Sequence, residues 1–125
     1  MEWNIHEAHT LYAVHLYLPD DTEARIGALG TFLFRKGNYV YIGSAKKNIK
    51  SRIDRHYRMD KPNRWHLDYL RPYCIIKKIE TFDGSIGECA LAANFRKEGT
   101  IPVKNFGSSD CKCGGHLILL DTPKG

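Results

Sequence analysis

The sequence predicts an α+β fold, a small, mainly antiparallel β-sheet flanked by helices, in one domain covering 1–125. Three observations predict it. Short runs of β-branched and aromatic residues fall between Gly, Pro, Asn and Asp breaks, as strands do. Two longer stretches instead repeat apolar residues at helical spacing. The 125 residues can bury one hydrophobic core and are too few for two ordinary ones. No internal repeat, low-complexity segment or interdomain linker interrupts them.

TLYAVHLYL (10–18) reads as the first strand, and PDD at 19–21 ends it. ARIGALGTFLFR (24–35) reads as a second strand or bent hairpin arm, interrupted by glycines. KGN (36–38) is a turn and YVYI (39–42) another strand. Gly43 and Ser44 end the sheet, and a helix follows from about Lys46, with Ile49, Ile53 and Tyr57 as its buried stripe. MDKPN (59–63) is a loop whose Asn63 would cap a short helix, WHLDYLR, stopped by Pro72. Residues 73–82, containing CIIKKIETF, read as a strand, and DGS turns the chain. The helix IGECALAANFRKE ends at Gly99, and HLILL (116–120) is the final strand. The resulting order is β-β-β-α-α-β-α-β.

Net charge +5 and pI near 9.1 point to an anionic partner, and the distribution sharpens this. Six Lys/Arg lie between Lys46 and Arg58 (Lys46, Lys47, Lys50, Arg52, Arg55 and Arg58), against the single acid Asp54. A solvated helix normally mixes signs, so this face suits phosphates; a merely soluble basic helix is the plainer reading. Mean hydropathy is −0.43, and no run approaches the ~18 apolar residues of a membrane span. The start lacks the basic-then-apolar order of a secretory signal, so a cytoplasmic protein with no membrane partner is expected. In that compartment the four cysteines are expected to stay reduced, without disulfides.

Arg52 and His56 stand at i and i+4 on one helix face, beside the Ile49–Ile53 stripe, where a cleft can open. Tyr41 immediately precedes that strand–helix corner, and Gly43 allows close backbone approach there. Glu88 has two readings. Ser85-Ile86-Gly87-Glu88 fits a capping box, which residue pattern alone favours, and a metal-binding carboxylate is the sharper alternative. Cys111, Cys113 and His116 offer three zinc-type donors, but the spacing matches no standard finger and a fourth ligand is not placed. Buried reduced thiols are the preferred account. His66 could line the cleft, while His6, His9 and His15 show no partner pattern.

YIG at 41–43, then Arg52, His56 and Glu88, resemble the GIY-YIG nuclease superfamily. The GNY at 37–39 mimics the first motif but lies too close to YIG; Thr10-Leu11-Tyr12 is the better match, with Thr where glycine is usual. YIGSA (41–45), RIDRH (52–56), RWHLDYL (64–70), ECALA (88–92) and FGSSDCKCGGHL (106–117) are similar to one branch of that superfamily. That branch has been catalogued as a domain of unknown function and is sometimes fused to endonuclease III.

The resemblance implies a metal-dependent endonuclease that hydrolyses DNA phosphodiesters, with RNA not excluded and a DNA-repair protein as a partner. It implies Arg52 as the phosphate clamp, Glu88 as holder of one Mg²⁺ or Mn²⁺, and Tyr12, Tyr41 and His56 around the nucleophilic water. An ordinary tyrosine pKa of about 10 makes a poor base at neutral pH, so His56 is the favoured helper and the base itself stays open. Asn105 resembles the family's late asparagine. Gly43 and the basic side chains of 46–58 would meet the nucleic acid. Two rivals accompany this reading: a module that binds nucleic acid without cutting it, and an interaction domain stabilised by metal in the Cys/His tail. The nuclease reading expects Arg52 and Glu88 to meet across one groove.

Overall fold

A computed structural model of the chain describes residues 2–4, 8–45, 49–57, 66–97, 99–100 and 117–120. The strands are β1 (Glu2–Asn4), β2 (Leu11–Leu18), β3 (Thr22–Arg25), β4 (Thr31–Phe34), β5 (Gly37–Ser44), β6 (Ile75–Phe82), β7 (Gly99–Thr100) and β8 (Leu117–Leu120). The helices are α1 (Ile49–Tyr57), α2 (His66–Leu70) and α3 (Glu88–Arg96). Six strands form one sheet in the order β1-β6-β2-β5-β8-β7, and β3 and β4 pair as a separate hairpin. Every pairing is antiparallel except β1 with β6. The expected α+β class is the observed one.

Alternation along β2 divides the core into two layers. Tyr12, Val14 and Leu16 pack with Tyr39 and Tyr41 of β5, Ile49 and Ile53 of α1, Leu67 and Leu70 of α2, and Phe34 of the hairpin. Leu11 and Ala13 face the other way, with Val40, Ile42 and Ile118, against Leu91 and Ala92 of α3. Helices therefore cover both faces. α1 buries Ile49 and Ile53, the stripe read from its four-residue spacing; the side chain of Tyr57 lies outside the described residues. Fully burying one such side chain contributes roughly 1.5–3 kcal/mol.

Several local expectations need correction. The run 24–35 is not one strand: a 3-10 turn at Gly27–Leu29 folds it into the end of β3 and the whole of β4. Residues 37 and 38 are not a turn but the first two of β5, paired with Leu18 and Tyr17. The α-helix α2 does end ahead of Pro72, at Leu70, but the chain winds on through a 3-10 turn at Arg71–Tyr73 that has Pro72 in its first turn, where a missing N–H costs nothing. The loop residue Asn63, expected to cap α2, lies outside the described residues.

Ser85 is also not the N-cap that a capping box there would need. Ser85 sits inside a 3-10 turn, Gly84–Ile86, capped by the Asp83 carboxylate accepting from the Ser85 amide at 2.9 Å. Gly87 occupies the N-cap of α3 with φ +86°, a left-handed conformation open to glycine, and no side chain caps the helix. Glu88 is thus the first residue of α3 rather than the closing member of a box.

Candidate active site

The sheet end at which β2 begins gathers the residues of interest. There Leu11 pairs with Ser44, the last residue of β5, and with Phe82, the last of β6. The Ala45 amide donates to the Thr10 carbonyl at 2.8 Å, which ties the start of β2 to the turn into α1. Beside it the aromatic ring of Tyr12 lies directly over Gly43, its register partner. A Cβ at residue 43 would come 2.7 Å from Tyr12 Cε1 and closer still to Cζ and the hydroxyl. Only glycine lets the ring lie there. Tyr12 and Tyr41 are diagonal neighbours on the α1 face and almost fully buried, at 2% and 4% exposure.

Arg52 reaches back from α1 to the same corner. Its Nη1 donates to the Ser44 carbonyl at 3.0 Å, and the side chain is half-buried. The strand end thereby tethers one N–H of the guanidinium. His56 follows one turn later on α1, with its side chain outside the described residues. On the same helix Lys50 is exposed and Arg55 half-buried. Lys46, Lys47 and Arg58, named as nucleic-acid contacts, lie outside the described residues.

The start of α3 arrives at this end from the other face. Gly84 abuts Thr10 so closely that a Cβ at residue 84 would collide with Thr10 Oγ1. Gly87 donates to the Gly84 carbonyl at 3.2 Å, and Glu88 comes next. Arg52 and the backbone of Glu88 thus share one end of the sheet, α1 packing on one face and α3 on the opposite one. The Glu88 side chain lies outside the described residues. A Cβ built on Gly87 meets no atom of the described residues within 4 Å.

Other expected residues are less informative. His66 opens α2 with an undescribed side chain, and Asn105, Cys111, Cys113 and His116 lie outside the described residues. Among the described residues no cluster of three or more His, Cys, Asp or Glu could hold a metal. Cys74 is a free, buried thiol, and burial pushes its pKa up to about 12 despite the nearby Arg71 charge. Among the described residues no helix is long and apolar enough to cross a membrane.

Sequence reasoning missed two polar pairs. His9 Nδ1 lies 2.9 Å from Thr81 Oγ1 at the sheet end just described. On the α3 face, His15 Nε2 meets Glu80 Oε2 at 2.8 Å, Lys78 reaches the other oxygen at 3.3 Å, and the His15 ring stands edge-on to Phe95. Partial burial raises the Glu80 carboxyl, but hydrogen bonds from His15 and Lys78 outweigh that and hold it below the usual range. The partners are distant in the chain, and only strand register brings them together.

A mixed sheet with helices on both faces, carrying an anchored arginine at one end, defines a small α+β domain with a polar corner. The chain belongs to the family described as Domain of unknown function DUF123, whose model matches residues 11–124. No curated protein and no solved structure matches it.

Proposed function

We propose that this domain hydrolyses phosphodiester bonds in DNA with the help of one divalent ion, in the manner of the GIY-YIG nucleases its motifs resemble. One observation carries the reading: Arg52, bonded to the Ser44 carbonyl, is anchored at the sheet end where Tyr12 crosses Gly43 and where α3 begins with Glu88. The nearness of these elements to one end of the sheet, α1 on one face and α3 on the other, supports the reading.

A guanidinium carries five N–H donors in a planar fork. Holding one of them on Ser44 restricts the group's motion, so it can grip a phosphate as charge builds on its oxygens with less reorganisation. Tyr12 and Tyr41 shape the floor of the corner and orient the attacking water. His56, one turn along α1 from Arg52, takes or returns the proton. A single carboxylate, here Glu88 at the first position of α3, is the kind of donor that suits Mg²⁺ or Mn²⁺, ions that keep several of their waters. Glu88 would hold that ion, which when bound neutralises charge on the leaving oxygen. The basic residues of α1 supply the salt-sensitive hold on the rest of the nucleic acid. A partner from DNA repair would direct so small a domain to its target.

Purified protein assayed with Mn²⁺ on linear and branched DNAs, beside matching RNAs, tests this. Cleavage is expected for wild type and is expected to fall by about 10²-fold or more in Arg52→Ala and in Glu88→Ala. Salt-sensitive binding of intact DNA by all three proteins would instead identify a module that binds without cutting.

A further inference from the structure

Thr10, the residue before β2, meets both sides of the candidate site and has no part in the chemistry above. Its carbonyl takes the Ala45 amide at 2.8 Å, one residue past the Ser44 carbonyl that holds Arg52. Its half-buried side chain lies on the other side, against Gly84. A Cβ at residue 84 would overlap Thr10 Oγ1 and stand 3.3 Å from Thr10 Cβ, so the bare glycine makes room for the threonine. A β-branched side chain has few χ1 states, which makes Thr10 a firm stop. From Gly84 a short run of hydrogen bonds leads into α3. The Gly84 carbonyl takes the Gly87 amide at 3.2 Å, and the Gly87 carbonyl takes the Leu91 amide at 3.0 Å. The Asp83 carboxylate, accepting from the Ser85 amide, holds the same turn closed. Leu91 packs in the α3 layer with Leu11, the chain neighbour of Thr10. The start of α3 is therefore held at Gly84 and again at Leu91, with Glu88 between them.

We propose that Thr10 is a positioning residue: its side chain, lodged against Gly84, sets where the first turn of α3, and with it Glu88, stands relative to the anchored Arg52. The inference rests on the proposed function and adds to it the residue that spaces its two halves. In this role Thr10 acts through Gly84 rather than on the ion or the nucleic acid. Residues that orient a metal ligand without touching the metal typically cost about 10- to 100-fold in metal affinity or activity when changed. Small misplacements of a reacting group have effects of the same order.

Cleavage of linear and branched DNAs by the intact chain, followed across Mn²⁺ concentration, tests this beside two readouts that need no cleavage: hydrogen exchange at the Leu91 amide and DNA binding in metal-free buffer. Thr10→Ala and Gly84→Ala are each expected to raise the Mn²⁺ concentration for half-maximal cleavage by about 10-fold. Each is also expected to speed exchange at Leu91. Thr10→Ser, which keeps Oγ1, should stay close to wild type. Joining Thr10→Ala to Gly84→Ala should restore the Mn²⁺ dependence, because the two methyl carbons would then stand 3.3 Å apart where the single glycine variant overlaps Oγ1. Metal-free binding should hold throughout, since none of these changes removes the Thr10 or Ser44 carbonyl. Wild-type cleavage with an unaltered Mn²⁺ dependence in Thr10→Ala, or a loss of metal-free binding as large as the loss of cleavage, overturns the inference and leaves the proposed function standing. A wild-type protein that cuts none of the DNAs overturns both. Should Gly84→Ala fail to fold, Thr10→Ala beside Thr10→Ser decides.

Discussion

At the scale of single residues, the corner depends on what is missing from Gly43. The ring of Tyr12 fills the space a side chain would take, so even a methyl group there must push the ring out of a closely packed layer. Gly43→Ala is expected to cost about 1–3 kcal/mol by overpacking, measured as a lower denaturation midpoint with an unchanged slope. Tyr12→Ala, which removes the obstacle, should make the same glycine substitution much cheaper in a double-mutant cycle. The positions of Tyr41, Gly43 and Arg52 at a strand–helix corner were legible in the sequence because strand runs and helical spacing are local properties, whereas Tyr12 was singled out by the motif resemblance alone. The Ser44 carbonyl that anchors Arg52 was not legible, since any backbone oxygen is an acceptor and only the folded turn selects this one.

At the scale of elements, the long strands and the four-residue β8 were legible, and the two shortest were not. β2 and β6 and the middle of β5 are rich in β-formers, whereas β1 has three residues and β7 two, too few to show a period. The start of α3 was misread because Ser85-x-x-Glu88 satisfies a pattern, while the left-handed Gly87 decides where the helix begins. The pairing of α3 with the sheet includes a charge-dependent contact. His15 and Lys78 hold the Glu80 carboxyl low, so its contribution to stability is fully present above its unfolded pKa, about 4.3. That contribution is lost as pH falls through the lowered folded value. Glu80→Gln is expected to flatten this acid limb of the stability curve, checked by urea unfolding across pH 2.5–6 in steps of about half a unit, a window set around the carboxylate range. His15 shares the contact, so His15→Phe serves as the partner substitution in the same series.

At the scale of the whole molecule, the sheet is assembled from distant pieces. The final strand β8 lies between β5 and β7, and β6 separates β1 from β2. Such pairing closes large loops before its contacts form, which slows folding compared with a helical bundle of this size. β8 also serves both layers, with Leu117 in the α1 layer and Ile118 in the α3 layer, each fully buried. Leu117→Ala and Ile118→Ala are each expected to cost about 2–5 kcal/mol, a large share of the ~5–15 kcal/mol that holds a domain together. Equilibrium unfolding of the two variants checks this, and equal costs would mean that both layers depend on the strand alike.

The seam between Thr10 and Gly84 matters beyond its size. The α1 arm and the α3 arm come from different layers of the protein and meet the sheet at the strand ends that flank β2, like the legs of a caliper whose pivot is Thr10. Gly84 presses on that pivot, and Arg52 is anchored elsewhere, at Ser44. The seating of α3 and the anchoring of Arg52 are therefore adjustable separately in this architecture, and changes in the short 83–87 crossover are where evolution or engineering could alter one while sparing the other.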